Sequence, residues 1–331
     1  NPKTEIRTPH PMAADTLLTA ARAHLGLNPD HPVILEPVKR GASGRTIVRI
    51  KAEGHPTFIG IHYTRDRKDN RYFLPVARFL KSAGLNVPEV LYDNPGRNIA
   101  LVQDLGETDL LALKDRPWSE RQPYYRSALE QLDRLFYTRA PKDLELPPPF
   151  TEDSYQWEQD YFIDNLVESH LHLDGDPLRR DPALARLRSN LGSSHRNLVH
   201  RDFQSQNIII HQGAAWLIDF QGLRRGRQEY DLASLIYDPY LNHPPDEREQ
   251  LLDLWESIAE ERPVPELLRD CAIQRLMQAL GAYAFILHNI HIDWYARHIP
   301  AAARLLFDLV QDTDLASPLR PVLEPALEAQ P

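Results

Sequence analysis

Three polar residues have types and spacing that can do chemistry together: Asp202, Asn207 and Asp219. They lie within VHRDFQSQNIIIHQGAAWLIDFQ, where apolar runs flank a charged and amide-rich centre. Asn207 precedes Ile208, Ile209 and Ile210, Asp219 follows Trp216, Leu217 and Ile218, and HQGA lies between. That pattern predicts a β-hairpin. With a register symmetric about Gly213, Asn207 and Asp219 face each other at the open end, where cross-strand Cβ atoms are about 4.5–5.5 Å apart. An amide oxygen and a carboxylate so placed can share a hard divalent cation such as Mg²⁺. Asp202, on the loop entering the hairpin, approaches the same place and can accept a proton from an attacking hydroxyl. A plain hairpin whose polar ends cap neighbouring helices is the competing reading. Spacing, residue types and the preceding His200–Arg201 pair together disfavour it.

The elements that must position these residues are read from periodicity and turn signals. Residues 11–26 form an amphipathic helical pattern ending at Gly26. Strand-like runs follow at 33–38, 46–52 and 57–63, separated by the turn formers GASG and EGHP. A helix is expected over 71–83, stopped by Gly84, and the runs PEVLYD and NIALVQD straddle the turn NPGR at 94–97. The sum is an antiparallel sheet of about five strands with one inserted helix. Beyond Gly106 the spacing turns helical over 119–138, 152–173, 229–241, 246–261, 265–289 and 299–312, with one β-like interruption at 198–220. PKDLELPPPF, at 141–150, reads as a proline-rich connection, and the tail from Ala316 as a polar, proline-containing extension. The expected fold class is α+β and two-lobed: a small β-sheet N-lobe over residues 1–105 and a larger, mainly helical C-lobe over 106–331.

Composition bounds the function classes. The chain has 331 residues, 42% hydrophobic and 26% charged, which supplies ample core for two lobes. Its formal net charge of −9 argues against nucleic acid as the main partner, because phosphate backbones want a basic face. No stretch approaches the roughly 20 apolar residues of a membrane span, so neither membrane nor nucleic acid is an expected partner. The N-terminus carries no apolar signal core, and the expected setting is a cytoplasmic monomer. Cys271 is the single cysteine, set in an apolar helical pattern, and reads as core.

The spacing Asp202-x4-Asn207, followed twelve residues later by Asp219–Phe220, is the arrangement of kinase-type phosphoryl-transfer enzymes. VHRDFQSQNIII, WLIDFQ and YDLASL together resemble the aminoglycoside-phosphotransferase-like superfamily of small-molecule kinases, which share the protein-kinase fold. Within it, ASGRTIVRI (42–50), NVPEVLYD (86–93), LVQDLGETDL (101–110), EYDLASLIYDPY (229–240) and LMQALGAYAFILH (276–288) are similar to the anomeric sugar kinases that phosphorylate N-acetylmuramate and N-acetylglucosamine at C1. The resemblance runs from about residue 33 to 310. It implies ATP and Mg²⁺, with Asp202 as catalytic base, Asn207 and Asp219 as metal ligands, His200 as a structural brace, and Asp231 pinning the catalytic loop. It also implies adenine contacts from the linker Gln103, Asp104 and Leu105.

The sequence departs from the pattern in places. Protein kinases carry a phosphate-contacting lysine on the third strand. Here that strand, TFIGIHY, has none, and Lys51 on the preceding strand is nearest. Gln204 stands where related sugar kinases often have His, and Gly41 where they often have Asp. In GASGRT (41–46) two glycines let backbone N–H groups approach an anion. Ser43 is a donor and Arg45 a charge that takes over part of the lysine's work; Arg49 lies on the same strand face. An acceptor pocket in the helical lobe would draw on Gln204, Gln221, Arg224, Tyr237, His288 and Trp294, a mix suited to a sugar. His288, His291 and His298 have no acidic or Cys partner that stands out, so they read as pocket lining rather than a metal site. The expected partners are a small sugar and ATP. The alternatives are a kinase of another small alcohol (aminoglycoside, choline or homoserine type) and a non-catalytic nucleotide-binding regulator. The regulator reading is disfavoured because a binding module needs no base.

Overall fold

The computed structural model describes residues 11–38, 45–64, 68–193 and 197–328. Helix α1 (Pro11–Leu25) is followed by β1 (Val33–Pro37), β2 (Thr46–Ala52) and β3 (Phe58–His62), then by α2 (Phe73–Ser82), β4 (Val90–Asn94) and β5 (Ile99–Gln103). The five strands form one antiparallel sheet in the order β1-β2-β3-β5-β4. The sheet is buried on both faces, and its residues divide with period two. Ile99 and Leu101 of β5 face α1 and pack with Leu17, Val48, Ile50 and Phe58. Ala100 and Val102 face the other way, into the continuous core that runs past α2 into the helices.

The helical lobe holds α3 (Trp118–Tyr137), α4 (Glu152–Phe162), α5 (Asp176–Arg179) and α6 (Pro182–Gly192) ahead of four short strands. These are β6 (Asn197–Val199), β7 (Ile208–His211), β8 (Ala214–Leu217) and β9 (Arg224–Gly226). Helices α7 (Gln228–Ile236), α8 (Pro245–Ala259), α9 (Pro265–Phe285), α10 (Ile299–Val310) and α11 (Ala316–Glu328) follow. This is the expected two-lobed α+β architecture, and no described helix is long and apolar enough to cross a membrane.

Helices α5 and α6 fall in a stretch where the sequence reading places no helix, and four further features differ from it. The tail from Ala316 is α11, which buries Leu319, Val322, Leu323 and Ala326 despite prolines at 321 and 325; its apolar residues recur at helical spacing and pack on α10. Helices α4 and α9 each continue as a π-helical segment, Ile163–His170 and Ile286–Ile290. Strand β9 pairs antiparallel with β6, Val199 opposite Arg224, and its three residues give too short a pattern to read from sequence. The fourth is the hairpin register. β7 pairs with β8 as Ile208–Leu217 through His211–Ala214, so the turn is the two residues Gln212 and Gly213. Both have positive φ, 50° and 79°, as a type I′ hairpin turn requires. The symmetry point therefore falls between 212 and 213, and Asn207 stands opposite Ile218 rather than Asp219.

Candidate active site

Asn207 and Asp219 both stand at the open end of the hairpin, but not directly opposite each other as the symmetric register predicts. The Ile218 N–H donates to the Asn207 carbonyl at 3.0 Å, which closes the ladder. Asp219 then leaves the strand in the left-handed conformation, φ 63°. For a non-glycine residue this is uncommon and, where it occurs at a functional position, re-aims the side chain. The Asn207 side-chain amide donates to the Asp202 backbone carbonyl at 3.0 Å, so its Nδ2 is spent on holding the loop and its oxygen is left as the acceptor. His200 completes the web: its Nε2 bonds the Ile218 carbonyl at 3.0 Å, between the two halves of the site. Burial holds the His200 pKa below its ordinary value, so the ring is neutral and Nε2–H is the donor.

Two buried carboxylates pin the catalytic loop from behind. Asp231 on α7 accepts from the backbone N–H groups of His200 and, at 2.8 Å, Arg201. Burial pushes its pKa up to about 7 despite those donors. Asp238 accepts from Ser205 N at 2.8 Å and from Tyr240 N at 2.9 Å. Asp238 was not singled out from the sequence; its one signal is the second aspartate in YDLASLIYDPY, seven residues after the first.

Asp202 itself has a side chain 28% exposed. Arg275 Nη2 lies 3.3 Å from its Oδ1, and the same guanidinium bonds Gln204 Oε1 at 3.3 Å and Ser234 Oγ at 3.1 Å. Burial works to raise the Asp202 pKa, but Arg201, Arg275 and His200 outweigh it and hold the carboxyl below its ordinary value. A base in that state is ionised at neutral pH. Arg275 too was missed. A single arginine inside the apolar run CAIQRLMQAL is the mark that would have found it, since a buried charge needs a partner.

From the sheet lobe, Arg45 reaches the same place. Its Nη1 lies 3.5 Å from Asp219 Oδ1, its Nε donates to buried Asn70 at 2.8 Å, and its guanidinium sits 5.5 Å from the Phe73 ring centroid. Phe73 in turn stacks on Phe220, 5.6 Å apart and nearly parallel. Arg49 does not join it. It is bidentate on Asp104, at 2.6 and 3.1 Å, and also bonds Glu107, so it ties β2 to the linker. Lys51 is paired with Glu36. The Asp104 carboxylate further accepts from Thr57 and Gly106, and the Leu105 carbonyl accepts from His211, so the linker is braced from both lobes. Gln103 N–H donates to the Glu89 carbonyl across the sheet edge. Ser43 lies outside the described residues.

The candidate acceptor residues divide. Gln221 donates to Asp219 at 2.8 Å and its own Oε1 is buried without a hydrogen-bond partner. Gln204 touches Arg275, as above, and Arg224 lies on β9 beside the catalytic loop. Trp294 packs with Tyr240, Tyr295 and His298, at 5.3, 5.1 and 4.3 Å. Burial raises the Tyr295 pKa. Tyr237 instead ends α7 under the Arg248 guanidinium. His288 is exposed and pairs with His170 at 2.8 Å.

The donor set suits a magnesium–phosphate group. Among the described residues no cluster of three or more His, Cys, Asp or Glu side chains could cage a metal. One amide oxygen and one carboxylate are the sparse, hard set that Mg²⁺ takes when phosphate oxygens and water complete its shell.

A sheet lobe joined to a helical lobe, with Asp202, Asn207 and Asp219 on the loop and hairpin of the second, defines the protein-kinase-like fold class. The chain belongs to the phosphotransferase enzyme family, whose model matches residues 34–271. It is 26% identical over 292 residues to an N-acetylmuramate/N-acetylglucosamine kinase of Pseudomonas aeruginosa, covering 83% of each chain. It is 27% identical over 248 residues to the Neisseria meningitidis serogroup B protein of the same name, covering 69% of this chain and 72% of that one. Among solved structures, a choline/ethanolamine kinase family protein from Mesorhizobium loti superposes with a TM-score of 0.63 at 17% identity, over 94% of this chain and 99% of the other. A macrolide 2′-phosphotransferase type I gives 0.62 at 17% identity, over 90% and 98%.

Proposed function

We propose that the protein is an ATP-dependent kinase that transfers the γ-phosphoryl group to the anomeric hydroxyl of a free amino sugar, giving a sugar 1-phosphate. The observation that carries the transfer chemistry is the hydrogen-bonded web that sets Asp202, Asn207 and Asp219 around His200. The sugar is supported by the relatives' names and by the polar and aromatic mix at Gln204, Gln221, Arg224 and Trp294.

In this reading Asp202 accepts the hydroxyl proton as the acceptor oxygen bonds to the γ-phosphorus and the bond to the ADP oxygen breaks. An anomeric hydroxyl is more acidic than an ordinary alcohol, so a base of lowered pKa suffices, and positioning carries much of the rate. Mg²⁺, held by Asn207 Oδ1 and Asp219, supplies charge neutralisation along the phosphate chain. Arg45 lends a second positive charge where protein kinases use lysine. Ser43 donates from the glycine-rich turn. Adenine is taken by the linker backbone at Gln103, Asp104 and Leu105, and a division after Leu105 separates the nucleotide lobe from the catalytic and acceptor lobe.

The test is a panel of free sugars with ATP and Mg²⁺, with the phosphorylated carbon read by phosphorus and carbon NMR. Phosphate on C1 of an N-acetylated hexosamine is expected. Transfer to a non-anomeric hydroxyl, or only to amino alcohols or aminoglycosides, overturns the reading.

A further inference from the structure

Four arginines with well-covered side chains pair with carboxylates: Arg45 with Asp219, Arg49 with Asp104, Arg121 with Glu247 and Arg275 with Asp202. Arg201 and Arg224 are different. Both are half-buried, and among the described residues neither has a carboxylate within ion-pair distance. They converge on one glycine. Arg224 Nε donates to the Gly222 carbonyl at 3.0 Å, while a Cβ placed on Gly222 would lie 3.3 Å from Arg201 Cδ and 3.8 Å from its Nη1. Arg224 is held there by the Phe150 ring, 5.1 Å from its guanidinium, and by the β6–β9 ladder. Arg201 is held by its own backbone, φ 79°, with its N–H on Asp231.

Two like charges brought together repel, and an anion that joins them relieves that repulsion. The nearest acids are otherwise occupied. Glu158 accepts from Tyr230 and Gln274, and Asp202 pairs with Arg275. Asp69, on the sheet-lobe side, contributes attraction to both arginines without forming an ion pair with either. Burial and the charge of Arg201 both press the Arg224 pKa down, while Asp202 and Glu158 outweigh burial and hold that of Arg201 up.

We propose that Arg201 and Arg224 form an oxyanion-binding site beside Asp202 that takes a carboxylate or phosphoryl group. Two planar guanidiniums present the paired N–H donors such a group accepts. The group comes either from an acidic substituent on the acceptor, which rests on the kinase reading above, or from free phosphate, which does not.

The experiment uses the full chain, wild type, Arg224→Gln and Asp69→Asn. Melting temperature is followed in inorganic phosphate against chloride of equal ionic strength. Steady-state kinetics compares N-acetylmuramate with N-acetylglucosamine, which differ by a lactyl carboxylate. Phosphate is expected to raise the wild-type melting temperature, more so in Asp69→Asn, and to lose that effect in Arg224→Gln. If the anion belongs to the acceptor, Arg224→Gln raises the KM ratio of the acidic to the neutral sugar by about tenfold or more. A lost phosphate effect with an unchanged ratio assigns the site to free phosphate. A wild type that turns over neither sugar defeats the kinase reading while the phosphate arm still reports on the arginines. A phosphate shift that survives Arg224→Gln, or no shift in wild type and Asp69→Asn together with an unchanged KM ratio, overturns the proposal.

Discussion

Arg45 Nη1 stands 3.5 Å from Asp219 Oδ1, joining a residue just ahead of β2 to the residue that ends the hairpin in the other lobe. The Arg45 side chain is only 6% exposed, and Asn70 and Phe73 fix its course. An arginine so constrained has its direction set before any ligand arrives, which is how a charge is preorganised for a developing one. Where the third strand lacks a lysine, this contact puts a cation beside the proposed phosphate site.

Replacing Arg45 by Met should therefore lower kcat/KM for ATP by about 10²-fold, the usual cost of losing one preorganised donor. Steady-state kinetics with ATP varied checks this. Arg49→Met should not mimic it: that change unties β2 from Asp104 and reads first as lowered thermal stability.

Arg275 governs the ionisation of Asp202. Burial favours the neutral acid, and Arg201 and Arg275 reverse that. Removing one cation, as in Arg275→Gln, raises the Asp202 pKa. The active, ionised fraction then falls at a higher pH, so the acid limb of the kcat/KM profile moves up relative to wild type. Asp202→Asn should lose about 10²–10⁴-fold in kcat, the usual worth of a general base. A profile unmoved in Arg275→Gln would separate that arginine from the base.

Asp238 is expected to matter although it touches no substrate. Asp238→Ala strands the Ser205 and Tyr240 N–H groups in a buried setting. The cost is roughly 2–6 kcal/mol of stability at about 1–3 kcal/mol for each buried unpaired group. Denaturant unfolding measures it, and kcat should fall with it at temperatures where the variant remains folded, because the loop that carries Asp202 loses one of its two anchors.

Helix α9 crosses α4 closely at Gly281, where a Cβ would lie 2.9 Å from the Tyr161 carbonyl oxygen and 3.0 Å from Phe162 Cα. Those neighbours are backbone and cannot rotate away. Gly281→Ala should push the helices apart at a cost of roughly 1–3 kcal/mol, despite the better helix propensity of alanine. Thermal or chemical denaturation shows the sign.

What could be read in the chain was local. Asp202, Asn207 and Asp219 lie within 18 consecutive residues, and backbone geometry confines such a stretch to few arrangements; hence the hairpin and its three polar groups were legible. The sheet and most helices were legible because their apolar residues recur with the period of the element that buries them. The register was misjudged by one residue, because a two-residue and a longer turn around HQGA leave nearly the same pattern. The tail was misjudged because its prolines masked an apolar face that only α10 reveals.

The amino-acid sequence by itself determined the family, the lobed architecture and the trio of groups on the catalytic loop and hairpin. Tertiary structure alone decided which arginine serves which acid. Arg45 and Arg49 are alike in sequence and four residues apart, yet one meets Asp219 and the other Asp104. Arg275 reaches Asp202 across 73 positions of chain, and Arg201 and Arg224, 23 positions apart, both approach Gly222. A charge's partner is set by which helices and strands pack together, and that packing depends on the whole core rather than on any neighbouring stretch of residues.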